Sequence, residues 1–149
     1  MNSDFKDLLV ILHQEGVRYL VVGGYAVIHY SQPRYTKDLD IWIEASQANA
    51  EKLFKAFEQF GISPFGLEQS DFEVKGTQLN VGMPPDAIDF LTSLPGVEFD
   101  EAWPKREESE SEGTPVYYLS KAELIAAKKV AGRLQDLADI EEIERGDEG

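Results

Sequence analysis

The sequence predicts an α/β (α+β) domain, a small mixed sheet flanked by helices. Three observations predict it. Short apolar runs such as YLVV at 19–22 and AIDFL at 87–91 alternate with stretches whose apolar residues recur at helical spacing. The segment DLDIWIE at 38–44 alternates with a period of two, the mark of a strand with one face in a core. Turn residues (Gly23-Gly24, Pro33, Pro84-Pro85, Gly113, Pro115) fall between these runs rather than inside them. The 149 residues fit one domain, which buries roughly two thirds of its unfolded surface. Residues 1–149 are therefore expected to form a single domain, with a C-terminal helical segment at about 120–145.

Taken in order, residues 4–15 place Phe5, Leu8, Leu9, Ile11 and Leu12 on one side of an amphipathic helix that stops at Gly16. Arg18 to Val22 reads as a buried strand, and residues 25–30 as a short helix leaving Gly23-Gly24. Ser31-Gln32-Pro33 breaks that helix. In the next strand Leu39, Ile41 and Ile43 point one way, and Asp38, Asp40 and Trp42 the other. A second amphipathic helix at 46–60 takes Ser46 as its N-cap and turns Leu53, Ala56, Phe57 and Phe60 inward. Phe72–Val74 and Gln78–Val81 are candidate strands around Lys75-Gly76. Ala87–Leu91 is a further strand, and 98–103 a helical turn. The acidic stretch REESESEGTP at 106–115 reads as a loop, followed by a strand at Val116–Leu119. Ser120 with Glu123 opens a helix to about Ala131, and Gly132 interrupts it. Residues 135–145 form a last helix, with a frayed tail from Arg145.

Charge narrows the function. With 28 acidic and 14 basic residues the net charge is −14, which repels phosphate backbones. This argues against an extensive nucleic-acid-binding surface and leaves room for a small basic pocket for one nucleotide. The acidic segments Glu107–Glu112 and Asp136–Glu148 are expected to be solvated, since like charges prefer water. No apolar run approaches the ~20 residues of a membrane span. The N-terminus is acidic where a signal peptide is basic. There is no cysteine, so disulfides and thiolate metal sites are ruled out. The expected compartment is the cytoplasm.

Three carboxylates carry the chemistry. Asp38 and Asp40, two apart on a strand, face the same way about 6.6 Å apart along it. Like charges so placed repel unless a cation lies between them, and hard divalent ions favour such oxygens. The alternative is two solvated aspartates on an exposed face. Gly23 and Gly24 end an apolar strand and open a helix, where backbone N–H groups bind phosphate; a plain tight turn is the other reading. Asp89, flanked by apolar residues on its own short strand, completes a triad if that strand neighbours the first. Three acids can hold two metal ions, and two metals organise in-line attack on phosphorus. Asp89 can equally serve as base for the attacking hydroxyl.

The segment VVGGYAV…RYTKDLDIWIE resembles the signature of the polymerase-β nucleotidyltransferase superfamily: a hydrophobic residue, a Gly pair, a spacer, then Asp-hydrophobic-Asp. Thirteen residues separate Gly24 from Asp38, which suits that signature. The closest resemblance is to small bacterial nucleotidyltransferases of the MNT and AbiEii/MenT toxin kind, through Gly23, Gly24 and Ala26, then Arg34, Thr36, Asp38 and Asp40. Their later acid maps onto Asp89. LIAAKKVAGRLQDLADIEEI also resembles an AbiEii-like motif, with Lys128, Arg133, Asp136 and Asp139 in place. On one continuous helix, Lys128, Gly132, Asp136 and Asp139 would share a face. The chain has Gly-Gly where many relatives have Gly-Ser, so no serine hydroxyl reaches the phosphates there.

The resemblance implies a nucleotidyltransferase fold and an enzyme that moves a nucleoside monophosphate from an NTP, ATP among the candidate donors, to an acceptor hydroxyl. Asp38, Asp40 and Asp89 would hold Mg²⁺, two ions by the family's pattern. Gly23, Gly24, Lys128 and Arg34 would meet the triphosphate, with Asp139 orienting the lysine and Lys129 as the alternative to Lys128. Arg34 and Lys37 could instead pair with Asp38 or Asp40. The acceptor would be a protein, a tRNA or a small molecule, and a toxin–antitoxin or defence setting with a cognate antitoxin is implied. Two rivals stand beside this: a silent domain that binds a partner protein, and a small-molecule nucleotidyltransferase of the antibiotic-modifying kind. His29 is expected to be a satisfied helix-face histidine. Tyr25 and Trp42 are either packing residues or platforms for a base.

Overall fold

The computed structural model describes residues 1–148. The chain runs through α1 (Ser3–Gln14), β1 (Tyr19–Val22), α2 (Gly23–Tyr30), β2 (Asp38–Ile43), α3 (Gln47–Phe60), β3 (Gln78–Val81), β4 (Ala87–Leu91), α4 (Phe99–Ala102), β5 (Glu107–Ser111), β6 (Thr114–Tyr118), α5 (Lys121–Ala131) and α6 (Leu134–Glu148). The strands form one six-stranded mixed sheet in the order β3-β4-β2-β1-β6-β5. β1 runs antiparallel to β2 and parallel to β6, while β2 and β4 are parallel neighbours. No helix among the described residues is long and apolar enough to cross a membrane.

Alternation in β2 decides how the sheet sits. Leu39, Ile41 and Ile43 are fully buried in the core that also holds Phe5, Leu8, Leu9 and Leu12 of α1 and Leu53 and Phe57 of α3. Burying such a side chain contributes about 2 kcal/mol, so the register of β2 is strongly specified. A slip of one residue would turn the aspartates into that core. Ser46 caps α3 as expected, its hydroxyl accepting from the Asn49 amide at 3.2 Å. Ile11 and Phe60 lie half-buried at the core's margin. Trp42 shares the face of the aspartates but is only 1% exposed and packs edge-on against Phe99 at 5.0 Å. It belongs to the core and offers no platform for a base.

Three expectations fail for identifiable reasons. Phe72–Val74 is no strand; Gln69–Glu73 forms a 3-10 turn in which Glu68 and Asp71 cap each other, and Phe72 packs on Phe54 and Phe57. The stretch 106–115 is no loop, because Glu107–Ser111 pairs with Thr114–Tyr118 as an antiparallel hairpin. Its two-residue turn, Glu112-Gly113, has φ of 51° and 86°, the left-handed pair that matches strand twist. As the last strand in the sheet, β5 keeps its carboxylates in water while its backbone pairs on one side, which also discourages edge-to-edge association. The tail from Arg145 is not frayed, since α6 continues to Glu148; Gly149 lies outside the described residues. Gly146 lets α6 approach α2: a Cβ there would stand 2.7 Å from the Tyr30 carbonyl oxygen.

Candidate active site

Parallel pairing of β2 with β4 puts Asp40 directly opposite Asp89. One carboxylate oxygen from each of Asp38, Asp40 and Asp89 lies within 4.8 Å of the others. The Asp38–Asp40 pair and the sequence-distant Asp89 therefore converge. Burial pushes the Asp38 carboxyl up to about 6, and hydrogen bonding and charge from Asp89 push the same way. Asp40 rises further, to about 8, through burial first and then repulsion from Asp38 and Asp89. Lys37 and Lys128 ease the two only slightly, through space. Partly buried, mutually repelling oxygens are the donor set that a hard divalent cation relieves. The residues fit a hard divalent cation.

Asn80 joins this cluster. It lies opposite Asp89 across the β3–β4 pair, and its Nδ2 donates to Asp89 Oδ1 at 2.6 Å. The sequence reading missed it, because its relation to Asp89 depends on strand register. The only signal was a polar residue in the alternating run QLNV.

The Gly pair is required by close approach. Gly23 opens α2 with φ +66°, and a Cβ on it would lie 2.0 Å from Asp40 Oδ2. A Cβ on Gly24 would lie 2.4 Å from Thr36 Oγ1. The two glycines thus press the N-terminus of α2 against the acids on one side and the Arg34–Thr36 segment on the other. Among the described residues no side chain caps that N-terminus, so its N–H groups can serve an anion.

The cations form a second cluster. Lys128 is 8% exposed, with Nζ 2.9 Å from Asp139 Oδ2 and 3.5 Å from Asp136 Oδ1. Arg34 Nη1 lies 2.5 Å from Asp139 Oδ1 and Arg133 Nε 2.7 Å from Asp136 Oδ2. The Arg133 hydrogen bond holds the Asp136 carboxyl below its usual range. Three expectations change here, and the choice between Lys128 and Lys129 falls to Lys128 as expected. Gly132, at φ +64°, ends α5, so Lys128 meets the two acids across a helix–turn–helix rather than along one helix face. Asp136 and Asp139 are each 2% exposed, so the acidic run from Asp136 is not uniformly solvated. Arg34 pairs with Asp139, not with Asp38 or Asp40. Lys128 rather than exposed Lys129 enters the cluster.

An open cleft of about 510 Å³ joins the two clusters; Gly24, Arg34, Lys37, Asp38, Asp40 and Lys128 are among its walls. His29 lies outside it, bonded to Glu107 and stacked on Tyr118 at 3.9 Å. Tyr25 packs edge-on against Phe5.

No protein-family model matches the sequence, and no curated protein does. Among solved structures, the chain is similar to the crystal structure of the lincosamide antibiotic adenylyltransferase LnuA with lincomycin bound. The two share 15% identity over 97% of this chain and 96% of that one, with a TM-score of 0.63. At that identity the likeness speaks for architecture alone: the chain has a nucleotidyltransferase fold.

Proposed function

We propose that the chain acts as a single-domain, Mg²⁺-dependent nucleotidyltransferase. It would transfer a nucleoside monophosphate from an NTP to an acceptor hydroxyl. The observation that carries this reading is the convergence of Asp38, Asp40 and Asp89 beside an uncapped helix N-terminus. Asp38, Asp40 and Asp89 would hold the metal, which when bound supplies Lewis-acid polarisation of phosphoryl oxygens. Gly23 and Gly24 offer backbone N–H groups to the triphosphate, and Lys128, Arg34 and Arg133 supply positive charge. Asp139 orients Lys128 and Arg34. Asp89, steadied by Asn80, takes up the acceptor proton. The acceptor oxygen forms a bond to the α-phosphorus, the bond from that phosphorus to the bridging oxygen breaks, and pyrophosphate leaves.

The toxin-like motifs support a toxin–antitoxin or defence setting in the cytoplasm, with a protein or tRNA acceptor and a cognate antitoxin. A second reading, small-molecule nucleotidylation, draws on the LnuA likeness and on the net charge of −14, which suits a cationic acceptor. The silent partner-binding reading is disfavoured, because a cluster of acids in which Asp38 and Asp40 are driven toward protonation destabilises a fold that makes no use of it. Calorimetric titration of each NTP, with and without Mg²⁺, tests the proposal on wild type and on Asp38→Ala/Asp40→Ala. Metal-dependent binding of an NTP, lost in the double variant, is the expected result. Absence of binding for every NTP at millimolar concentration overturns it.

A further inference from the structure

We infer that an apolar slot between β4 and α5 holds the nucleobase of the donor nucleotide. This rests on the nucleotidyltransferase reading above. Leu91, Leu94, Pro95, Leu124, Ala127 and Ala131 line the slot, whose volume is about 180 Å³. Ala127 and Ala131 lie one turn apart on α5, so that helix presents a shallow floor rather than bulky side chains. Leu94 and Pro95 stand opposite, in a turn closed by a Leu94–Val97 bridge. Gly96 pins this turn to the helix: a Cβ there would stand 2.5 Å from Val130 Cγ2. A slot with aliphatic walls and a shallow floor suits a flat, weakly polar ring face.

The slot is continuous with the cleft that joins the acid and cation clusters. Gly23, Asp40, Lys128, Arg133 and Asp136 line both. A metal-bound nucleoside triphosphate fits the pair, with its phosphates among the acids and cations of the cleft and its base in the apolar slot. The acceptor is placed elsewhere by the geometry of the reaction. The attacking oxygen must approach roughly opposite the leaving pyrophosphate, and the slot shares its walls with the pyrophosphate side. Asp89 and the exposed Asn80, on the β3 edge of the sheet, mark the side left for the acceptor.

The test is calorimetry in Mg²⁺ with each NTP and with inorganic tripolyphosphate, on wild type, Ala127→Leu and Ala131→Phe. Ala131 is exposed, so its variant fills the mouth of the slot without disturbing the core. Both variants are expected to weaken NTP binding by about tenfold or more, while tripolyphosphate binds as in wild type. If Ala131→Phe and Ala127→Leu bind NTP as wild type does, or lose NTP and tripolyphosphate in parallel, the base lies elsewhere and the inference is overturned. If wild type binds tripolyphosphate but gains nothing from the nucleoside, the slot assignment fails while the phosphate site stands. If wild type binds neither, the nucleotidyltransferase reading itself has failed.

Discussion

Two groups of carboxylates face each other across the cleft, and they are balanced in opposite ways. Asp136 and Asp139 are each met within 4 Å by two cations of the chain itself: Arg133 and Lys128 for Asp136, Arg34 and Lys128 for Asp139. Among the described residues no ion pair neutralises Asp38, Asp40 or Asp89, and the first two are driven toward protonation. Asp136 and Asp139 are the more deeply buried, yet it is Asp38, Asp40 and Asp89 that lack compensation. An anion cluster that the protein neutralises internally is structure, whereas one left short of charge is a place for a cation from outside. The same contrast separates residues that hold the site from residues that act in it.

Breaking the compensated cluster should give the largest effect on stability. Lys128→Met would leave Asp136 and Asp139 with fewer partners in a buried setting, at a cost of about 3 kcal/mol. In Tm this is a fall of roughly 10 °C for a chain of this size, measured by calorimetric melting. A variant as stable as wild type would show that the arginines alone suffice.

The acid cluster should respond with the opposite sign. Asp40 binds its proton more tightly folded (about 8) than unfolded (near 3.8), so its contribution is fully present below the unfolded value and is lost as pH rises toward 8. Metal-free protein should therefore melt at lower temperature as pH climbs through this window. Asp40→Asn should flatten that decline and raise Tm at pH 8 by roughly 3 °C, while abolishing nucleotidyl transfer. Added Mg²⁺ should stabilise wild type at pH 8 and leave the variant unmoved. A steeper decline in Asp40→Asn would contradict the assignment of the frustrated charge.

The smallest effect sharpens the boundary between the two roles. Asn80→Ala removes the 2.6 Å hydrogen bond to Asp89 from an exposed position. Stability should change by no more than ~0.5 kcal/mol, while the transfer rate falls by roughly tenfold with the NTP affinity unchanged. Equal loss in rate and NTP binding would instead mark Asn80 as part of the donor site.

Legibility in the sequence followed the range of the interactions involved. The period of two in DLDIWIE set Asp38 and Asp40 on one face and Leu39, Ile41 and Ile43 on the other, as the structure has them. Ser46 as an N-cap and Gly132 as a helix stop were equally readable, because a cap or a left-handed residue acts on its own neighbours. The 106–115 hairpin was not. Its glutamates argued for a loop, and only the pairing partner on β6 makes a strand of them.

By itself, then, the sequence determined the strand–helix alternation outside 69–74 and 106–115, the acidic character and the carboxylates of the candidate site. Only the tertiary structure decided that Asp89 stands opposite Asp40, that Asn80 reaches Asp89, that Arg34 turns to Asp139, and that Lys128 crosses a helix–turn–helix to meet Asp136 and Asp139. The reason is physical. Periodicity and capping record the conformation of a few consecutive residues. The pairing of charges 49 or 105 positions apart depends on which strands become neighbours and on where a helix break aims the chain.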